Sequence, residues 1–342
     1  MERMNFKVCV RCFTYNQSPY IKEALDGFCI QKTTFPFVCI IIDDASTDGE
    51  QEIIKNYLLE HFDLEDESII RNEETDDYDL TFARHKTNIN CFFSVLYLKY
   101  NHYSIKKSKL HYFSKWLDSV KYEALCEGDD YWTDPHKLQK QVSFLEDNSD
   151  YVLCFHNVKV FKQQEGEMVD DFITREVSET TSIEDLASGN NYIHTPSIVF
   201  RHIPEVIKAE KQLYGVVMGD FINNLLLAQY GKLKKMPDCM AVYRFGVGVW
   251  TNSQVSGFYR TIQAISDLSK LLVVIRADIK PYILDLIGIM KDCCLMKYNE
   301  YDSKCKDLDA ILHSPSYRLG NCLIIPIRFI RKFLIKHRIL KS

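Results

Sequence analysis

The first sixty residues repeat a pattern in which a short β-rich apolar run is followed by an amphipathic helical pattern. The run at 6–13 precedes a segment at 21–28 whose Ile, Ala, Leu and Phe side chains share one helical face. A second run at 37–42 precedes similar helical spacing at 53–58. Such alternation predicts an α/β fold with a mostly parallel sheet flanked by helices. Ligands of such sheets lie beyond the carboxyl ends of the strands, so the residues that follow these runs are candidates for a site.

The remaining sequence continues this pattern and then becomes helical. We expect partly helical structure at 81–119 and, in the acidic stretch at 60–79, a solvated loop around a short strand at 68–71. Further strands are predicted at 121–126, 151–161, 197–201 and 240–244, and further helices after Pro135, after Asp220 and beyond about 255.

Length and charge suggest three parts. At 342 residues the chain is longer than most single domains. We predict a first domain at 1–250, a helical extension at 251–312 and a basic amphipathic tail at 313–342. The tail contains seven Lys or Arg and no acid, so residues 1–312 carry a net charge of −12. An acidic body argues against nucleic-acid binding, which requires a basic footprint on the folded domain.

Composition also bears on location and redox chemistry. No apolar run approaches the ~20 residues that cross a bilayer, and the first apolar stretch contains Lys7 and Arg11, unlike a secretory signal. We therefore expect a cytoplasmic protein. Its 12 cysteines mostly have apolar neighbours, which is typical of core residues. Cys9 and Cys12 are three positions apart on a predicted strand, so their side chains should lie on opposite faces and form no redox or zinc site.

Three acidic groups occur at strand ends or just before a helix: Asp43-Asp44, Glu127-x-Asp129-Asp130 and Asp220. An aspartate in such a position is often only a helix cap or a turn residue. Their joint occurrence favours another interpretation, because hard divalent cations bind carboxylate and diphosphate oxygens together. Together the three groups indicate a metal and nucleotide site.

Four segments carry a resemblance to a known family, and they extend from about residue 6 to residue 250. They are CFTYNQSPYIKEALDGFCIQ, CIIIDDASTDGE, ALCEGDDYWTDPHKLQKQVSFLE and the MGD that ends at Asp220. In this combination the chain resembles a family 2 glycosyltransferase with the GT-A fold, of the type that builds bacterial surface polysaccharides such as capsule or O-antigen. The resemblance implies a Rossmann-like, mostly parallel sheet with a C-terminal helical extension.

The resemblance also implies roles for individual residues. The nucleotide pocket would be bordered by Thr14, Tyr15 and Asn16, and Asp44 would bind uracil with Asp43 beside it. Asp129 would contact the ribose and the sugar phosphate, and Asp130 would bind the metal. Asp220 would be the catalytic base. A carboxylate that accepts from the base N–H favours one base, because a wrong base leaves it unpaired.

The implied reaction is inverting transfer of one sugar from a UDP-sugar donor to a glycan acceptor. A divalent cation, Mn²⁺ or Mg²⁺, would stabilise the leaving diphosphate, and one carboxylate would take the proton of the acceptor hydroxyl. The Q-x-x-R-W signature of processive synthases is absent from the sequence, which favours one addition per visit. Relatives of this type use a lipid-linked acceptor. The sugar, the acceptor and the linkage depend on loops and are not predicted.

Other positions are open to two interpretations. His194, Thr195 and Trp250 are candidates for sugar contacts, although a structural turn or a core aromatic explains them equally. Related sequences commonly carry a His shortly after the Tyr-Arg that corresponds to Tyr243-Arg244, whereas this chain has Phe245-Gly246, so a third protein ligand to the metal is in question. The tail could bind the anionic inner face of the membrane or dock on the domain as a final helix.

Two other functions compete with sugar transfer. A nucleotidyltransferase that makes sugar nucleotides also uses a Rossmann-like sheet and a divalent metal, but its glycine-rich phosphate loop is replaced here by TYNQSP. A catalytically silent relative that acts as a binding module is the non-enzymatic alternative, and Asp130 and Asp220 argue against it. A dehydrogenase is excluded because no G-x-G-x-x-G follows the first strand.

Overall fold

The computed structural model describes residues 5–117, 119–174, 176–188, 191–213, 215–248 and 257–313. Trp250 and most of the basic tail predicted at 313–342, from 314 onward, lie outside the described residues. The chain divides into two compact units, Met1–Val255 with Ser266–Ile287 and Ser256–Ile265 with Gly288–Ser342. The domain boundaries expected at 250 and 312 stay a prediction.

Thirteen strands of the described ranges form one sheet. They are β1 Val8–Thr14, β2 Phe37–Asp43, β3 Phe62–Asp63, β4 Arg71–Glu74, β5 Tyr78–His85, β6 Cys91–Leu98, β7 Tyr122–Leu125, β8 Tyr131–Trp132, β9 Tyr151–Lys162, β10 Glu167–Asp170, β11 Thr180–Thr181, β12 Val199–Arg201 and β13 Lys232–Phe245.

Nine helices accompany these strands in the described part of the chain. They are α1 Ile21–Cys29, α2 Glu50–His61, α3 Ser114–Leu117, α4 Lys137–Asp147, α5 Ile183–Ala187, α6 Pro204–Gln212, α7 Gly219–Ala228, α8 Gly257–Val274 and α9 Lys280–His313, with short 3₁₀ turns at Leu110–Tyr112 and Thr195–Ser197. No described helix is long and apolar enough to cross a membrane.

The centre of the sheet is parallel. The strands follow the order β11-β13-β9-β12-β7-β1-β2-β6-β5-β3, and β1 pairs in parallel with both β2 and β7. Thr14, the last residue of β1, lies beside Asp43, the last residue of β2. The carboxyl ends of three central strands therefore lie at one edge, where the acidic groups after β2 and β7 can meet. The predicted α/β fold with a mostly parallel central sheet is confirmed.

The helical face predicted at 21–28 is the buried face of α1. Ile21, Ala24, Leu25 and Phe28 are at most 1% exposed, and the Phe28 ring meets Trp132 of β8 edge-on at 5.0 Å between centroids. Cys9 and Cys12 are free, buried and lie in core clusters on opposite sides of the sheet. Strand periodicity alone predicted this separation.

Gly27 allows α1 to approach β8 closely. A Cβ at this position would lie 2.8 Å from both the backbone nitrogen and the backbone oxygen of Trp132. Backbone atoms cannot rotate away, so we expect Gly27→Ala to lower the free energy of unfolding by about 2 kcal/mol, the usual cost of overpacking. Gly288→Ala is the control: Gly288 lies inside α9, and an added Cβ there would have no described atom within 4 Å apart from its chain neighbours and the helix's own backbone. This variant should be neutral or slightly stabilising. Urea denaturation followed by circular dichroism measures both; equal midpoints for the two variants would contradict this account.

Two expectations between 60 and 119 were correct only in small part. The segment expected to be partly helical contains the end of β5 and all of β6, whose eight residues are buried, and its helix is limited to the 3₁₀ turn and α3. A continuous apolar run does not distinguish a buried strand from a buried helix by periodicity. The short strand expected at 68–71 lies instead at β4, which pairs with β5.

Candidate active site

Glu50 organises the loop that follows β1. This residue lies in the first turn of α2 with no exposed surface, and its carboxylate accepts hydrogen bonds from the Thr14 hydroxyl, from the Gln17 amide at 2.8 Å and from the Ser46 hydroxyl at 2.9 Å. Burial raises the pKa of Glu50, and the hydrogen bonds oppose that rise. The loops after β1 and β2 are therefore joined by one buried acid.

Asn16 completes this junction. Its backbone adopts φ +53°, its amide donates to the Ser46 hydroxyl at 2.9 Å, and its side-chain oxygen accepts from the Thr47 amide at 2.8 Å. Tyr15 beside it is 46% exposed. Of the three residues predicted to edge a nucleotide pocket, Tyr15 presents its side chain to solvent, Thr14 is buried, and Asn16 joins the two loops.

Asp43 and Asp44 have different surroundings although they are adjacent. Asp43 is fully buried, and its Oδ1 accepts from the Ser46 amide at 3.0 Å and from the Gln51 amide group at 2.5 Å. Burial raises the pKa of Asp43. These contacts match the turn role that a single aspartate after a strand often has.

Asp44 is 2% exposed and accepts hydrogen bonds from a later segment. Its Oδ1 accepts from the His102 amide at 2.7 Å, and its Oδ2 accepts from the Tyr103 amide at 3.1 Å and from the Lys109 ammonium at 2.7 Å. A carboxylate offers about four acceptor positions, so one is left for a ligand. Lys109 also lies 5.2 Å from the centre of the Phe13 ring.

The loop after β7 packs directly on the loop after β1. A Cβ on Gly128 would lie 2.4 Å from the Thr14 hydroxyl and 2.6 Å from Gln17 Oε1, so only glycine fits there. This contact brings Asp129 and Asp130 to the edge of the sheet where Asp44 lies. Glu127 lies on the same loop and is exposed. Desolvation by the surrounding protein, followed by the charges of Asp129 and Asp220, raises the pKa of Glu127 to about 8, while the charge of Lys109 opposes the rise.

Arg244 of β13 holds the two adjacent aspartates. Its backbone amide donates to Asp130 Oδ1 at 2.8 Å, its guanidinium donates to the Asp129 carbonyl at 2.7 Å, and it also pairs with Glu23 of α1. Burial and then the charge of Asp129 raise the pKa of Asp130 well above its usual range. Asp129 Oδ1 is buried and has no hydrogen-bond partner among the residues that the structure describes.

These features fit a cation that is shared with a ligand. Two adjacent buried carboxyl groups, one with an unpaired oxygen, are relieved by a positive charge. Among the described residues no group of three or more His, Cys, Asp or Glu side chains could hold a metal ion by itself. Mg²⁺ and similar ions often take only one or two protein carboxylates and complete their shell with phosphate oxygens and water.

Asp220 lies in the first turn of α7 and is exposed. The side-chain amide of Asn191 donates to its Oδ2 at 3.0 Å. Surrounding protein raises the pKa of Asp220, and backbone amides of α7, His194 and Asn191 oppose the rise. Asp220 in turn contributes to the raised pKa values of Glu127 and Tyr243, so it faces the loop after β7.

Of the two candidates for sugar contacts that the structure describes, His194 is the more enclosed. His194 is 6% exposed, its Nε2 lies 3.2 Å from Asp171 Oδ1, and its ring centre is 4.8 Å from that of Tyr243. Thr195 begins a 3₁₀ turn and is partly exposed. Trp250 lies outside the described residues, and the predicted contacts of all three with a sugar stay untested.

Sequence reasoning missed several residues of this region. Glu50 looks like an ordinary acid in a first helical turn, and Lys109 is one of several lysines in a basic stretch. Arg244 was noted only as part of a Tyr-Arg pair, and Asn191 has no local signal. Each has at least one hydrogen bond to a residue 29 or more positions away, which no local pattern shows.

Comparison with known proteins gives a partial family match and a fold. The model of the family described as glycosyl transferase family 2 matches residues 10–86. Uncharacterized proteins of Mycobacterium bovis and Mycobacterium tuberculosis are 32% identical over 268 residues, which are 75% of this chain and 66% of each relative. The chain thus spans just under two thirds of the length of these relatives.

Two solved structures are similar at low sequence identity. S. aureus TarS 1-349 in complex with UDP-GlcNAc is 14% identical with a TM-score of 0.52, over 83% of this chain and 71% of that one. The mannosyltransferase PcManGT from Pyrobaculum calidifontis, in complex with GDP-Man and Mn²⁺, is 14% identical with a TM-score of 0.47, over 93% and 84%. By its likeness to TarS the chain has the GT-A fold, and over residues 10–86 it matches glycosyl transferase family 2.

Proposed function

We propose that this protein is an inverting, metal-dependent glycosyltransferase that moves one sugar from a UDP-sugar to a hydroxyl of a lipid-linked glycan during synthesis of a cell-surface polysaccharide. The observation that carries the proposal is the meeting of the loops after β1, β2 and β7 with the first turn of α7 at one edge of the sheet. Donor and acceptor chemistry require acidic groups on both sides of the reacting sugar, and this edge supplies them.

The donor nucleotide would bind between the loops after β1 and β2. Tyr15 is exposed there, and Asp44 has one acceptor position left for the N–H of uracil. Asp129 would accept from the ribose. Because Asp44 is held in place by the amides of His102 and Tyr103, a base whose N–H groups lie in other positions would leave the carboxylate unpaired, which would favour UDP.

Asp130 would hold the divalent cation together with the diphosphate. The bound cation would supply positive charge where the leaving diphosphate becomes more negative. Arg244 keeps Asp130 in place through its backbone amide and leaves the second carboxylate oxygen for the ligand. The raised pKa of Asp130 gives a reason for the cation to bind, because a neighbouring positive charge stabilises the ionised form.

Asp220 would act as the base. It is exposed, faces the loop after β7 and can take the proton of an acceptor hydroxyl as that oxygen attacks the anomeric carbon. A single base with direct displacement inverts the configuration at that carbon. His194, Thr195 and Trp250 stay candidates for sugar contacts. The basic sequence at 313–342 supports the further proposal that the protein attaches to an anionic membrane surface near its lipid-linked acceptor.

A donor screen tests the proposed function. The protein is incubated with a panel of UDP-sugars that starts with UDP-GlcNAc, the ligand of the TarS complex, and with GDP-sugars, each with and without Mn²⁺. We expect release of UDP that depends on the cation and is absent in Asp220→Ala. Binding of UDP without turnover of any donor would favour a silent binding module, and formation of a sugar nucleotide from UTP and a sugar phosphate would favour a nucleotidyltransferase.

Asp44→Ala should weaken UDP binding by about tenfold or more and reduce the preference for UDP over GDP. The variant loses a charge-assisted contact to the base, which contributes roughly 1.5–3 kcal/mol. Lys109→Met is the matched control, since it removes the ammonium from Asp44 but leaves the carboxylate, so it should keep the base preference. Calorimetric titration measures both. Equal UDP affinity of parent and Asp44→Ala would refute the uracil contact.

A further inference from the structure

Among the described residues, Asn191 has a side chain that donates a hydrogen bond to the carboxylate of Asp220. Its Nδ2 donates to Asp220 Oδ2 at 3.0 Å, across 29 positions of sequence. Asn191 lies in the loop before β12, whereas Asp220 lies on α7. The contact therefore joins two elements at the point where the proposed base meets the acceptor side of the site.

The orientation of the Asn191 amide is determined by other contacts. Its Oδ1 accepts from the Ile193 amide at 3.3 Å and from Asn224 Nδ2 at 3.4 Å. A backbone amide can only donate, so Oδ1 must face Ile193 and the NH₂ group must face Asp220. Asn224 is 2% exposed and lies one turn beyond Asp220 on the same helix. The donor that Asp220 receives is thus fixed in advance of any substrate.

The backbone before Asp220 has a separate support. Asp267 of α8 is 2% exposed, and its Oδ2 accepts from the amides of Val217 at 2.7 Å and Met218 at 3.0 Å. These contacts hold the segment that leads into α7 but do not involve the Asp220 carboxylate. Asn191 therefore contacts the carboxylate of Asp220, whereas Asp267 contacts only the backbone that precedes Asp220.

We propose that Asn191 is a positioning residue that orients the carboxylate of Asp220 toward the acceptor hydroxyl and keeps it ionised. The inference rests on the proposed function, in which Asp220 is the base. With Oδ2 bonded to Asn191, rotation of the carboxylate is restrained and Oδ1 keeps one direction in which to receive a proton. A hydrogen bond to the charged form also favours that form, which is the one a base needs.

The charged and titratable groups around Asp220 set the direction of the expected effect. Glu127 approaches from the loop after β7, Tyr243 from β13 and His194 from the turn before β12. The surrounding protein favours the protonated acid, whereas the α7 amides, His194 and Asn191 favour the carboxylate. Removal of Asn191 should raise the pKa of Asp220, so the acid limb of the rate profile should move to higher pH.

The test is the pH dependence of kcat and of UDP-sugar affinity in Asn191→Ala and Asn191→Asp, each compared with the parent protein. We expect the acid limb of Asn191→Ala to move up by about one pH unit, which is about a tenfold loss on that limb, with recovery at high pH. Asn191→Asp keeps the shape but places a second carboxylate beside Asp220, so the acid limb of this variant should move to still higher pH. Affinity for UDP should not change in either variant.

Asp267→Asn is the control for a purely structural effect. It weakens the backbone support without touching the carboxylate, so any loss of rate should be similar at every pH. A uniform loss in both Asn191 variants, or no change in either, would overturn the inference, and Asn191→Asp decides the question if the alanine variant does not fold. If Asp220→Asn is inactive but the acid limb of the Asn191 variants matches that of the parent, only the role of Asn191 is wrong. If Asp220→Asn is fully active, the proposed base itself is wrong.

Discussion

Asp220→Asn is expected to lower the rate of sugar transfer by a factor of about a thousand or more while UDP-sugar affinity stays within about twofold of the parent. A positioned base contributes roughly 10²–10⁴ to a rate, and an amide cannot take the proton of the acceptor hydroxyl. The substitution preserves shape and keeps an oxygen that can accept from Asn191, so the local structure should persist. An effect on rate alone identifies an interaction made only in the transition state.

Single-turnover kinetics and calorimetry together measure this effect. Asp278→Asn is a suitable control, because Asp278 is an exposed acid that pairs with Arg276 away from this edge of the sheet. A large loss of donor affinity in Asp220→Asn would make Asp220 a binding residue instead of the base. Transfer at the parent rate would remove Asp220 from the mechanism.

Asp130→Ala is expected to lower turnover by several orders of magnitude, and EDTA should inactivate the parent protein to a similar extent. Removal of a single group that stabilises a developing charge typically costs a factor of about 10²–10³, and here the cation would be lost as well. The fold should survive, because burial disfavours the ionised form of Asp130 and alanine removes the cost of burying that charge. In the described part of the chain, the Arg244 amide is the group that loses its acceptor.

Thermal denaturation gives a readout of this prediction that does not depend on activity. A ligand that binds only the folded state raises the melting temperature, so Mn²⁺ with UDP should stabilise the parent and not Asp130→Ala. Asp134→Asn is the matched control, since this acid lies four positions further on and pairs with Lys140. Undiminished transfer in EDTA, or equal stabilisation of both proteins by Mn²⁺ with UDP, would contradict the metal assignment.

The elements at the start of the chain were predictable because their signals are local. The apolar runs at 6–13 and 37–42 form β1 and β2, and the helical face at 21–28 is buried as expected. The same reasoning missed β6, since a buried run of eight residues that is apolar except for Ser94 has no periodicity that separates strand from helix. Hydrogen bonding to the preceding strand β5 and to β2, which lies far away in the sequence, determines its structure.

Adjacent acids were not distinguishable by sequence. Asp43 is the last residue of β2 and Asp44 follows it, and successive residues along an extended chain point to opposite sides. Asp43 turns to Ser46 and Gln51, close by in the chain, whereas Asp44 meets the segment at 102–109. The resemblance to the family distinguished their expected roles, and the structure adds the reason why their surroundings differ.

By itself, the sequence determined the α/β class, the carboxyl-end position of the acidic groups and the resemblance to family 2 glycosyltransferases, because all three follow from periodicity and from short contiguous motifs. Only the tertiary structure decided which side chains surround those acids. Glu50 joins two loops, Arg244 holds Asp129 and Asp130, and Asn191 faces Asp220 through contacts that span 29 to 115 positions. Such contacts depend on how strands and loops are brought together in space, and a local pattern carries no information about a partner that distant.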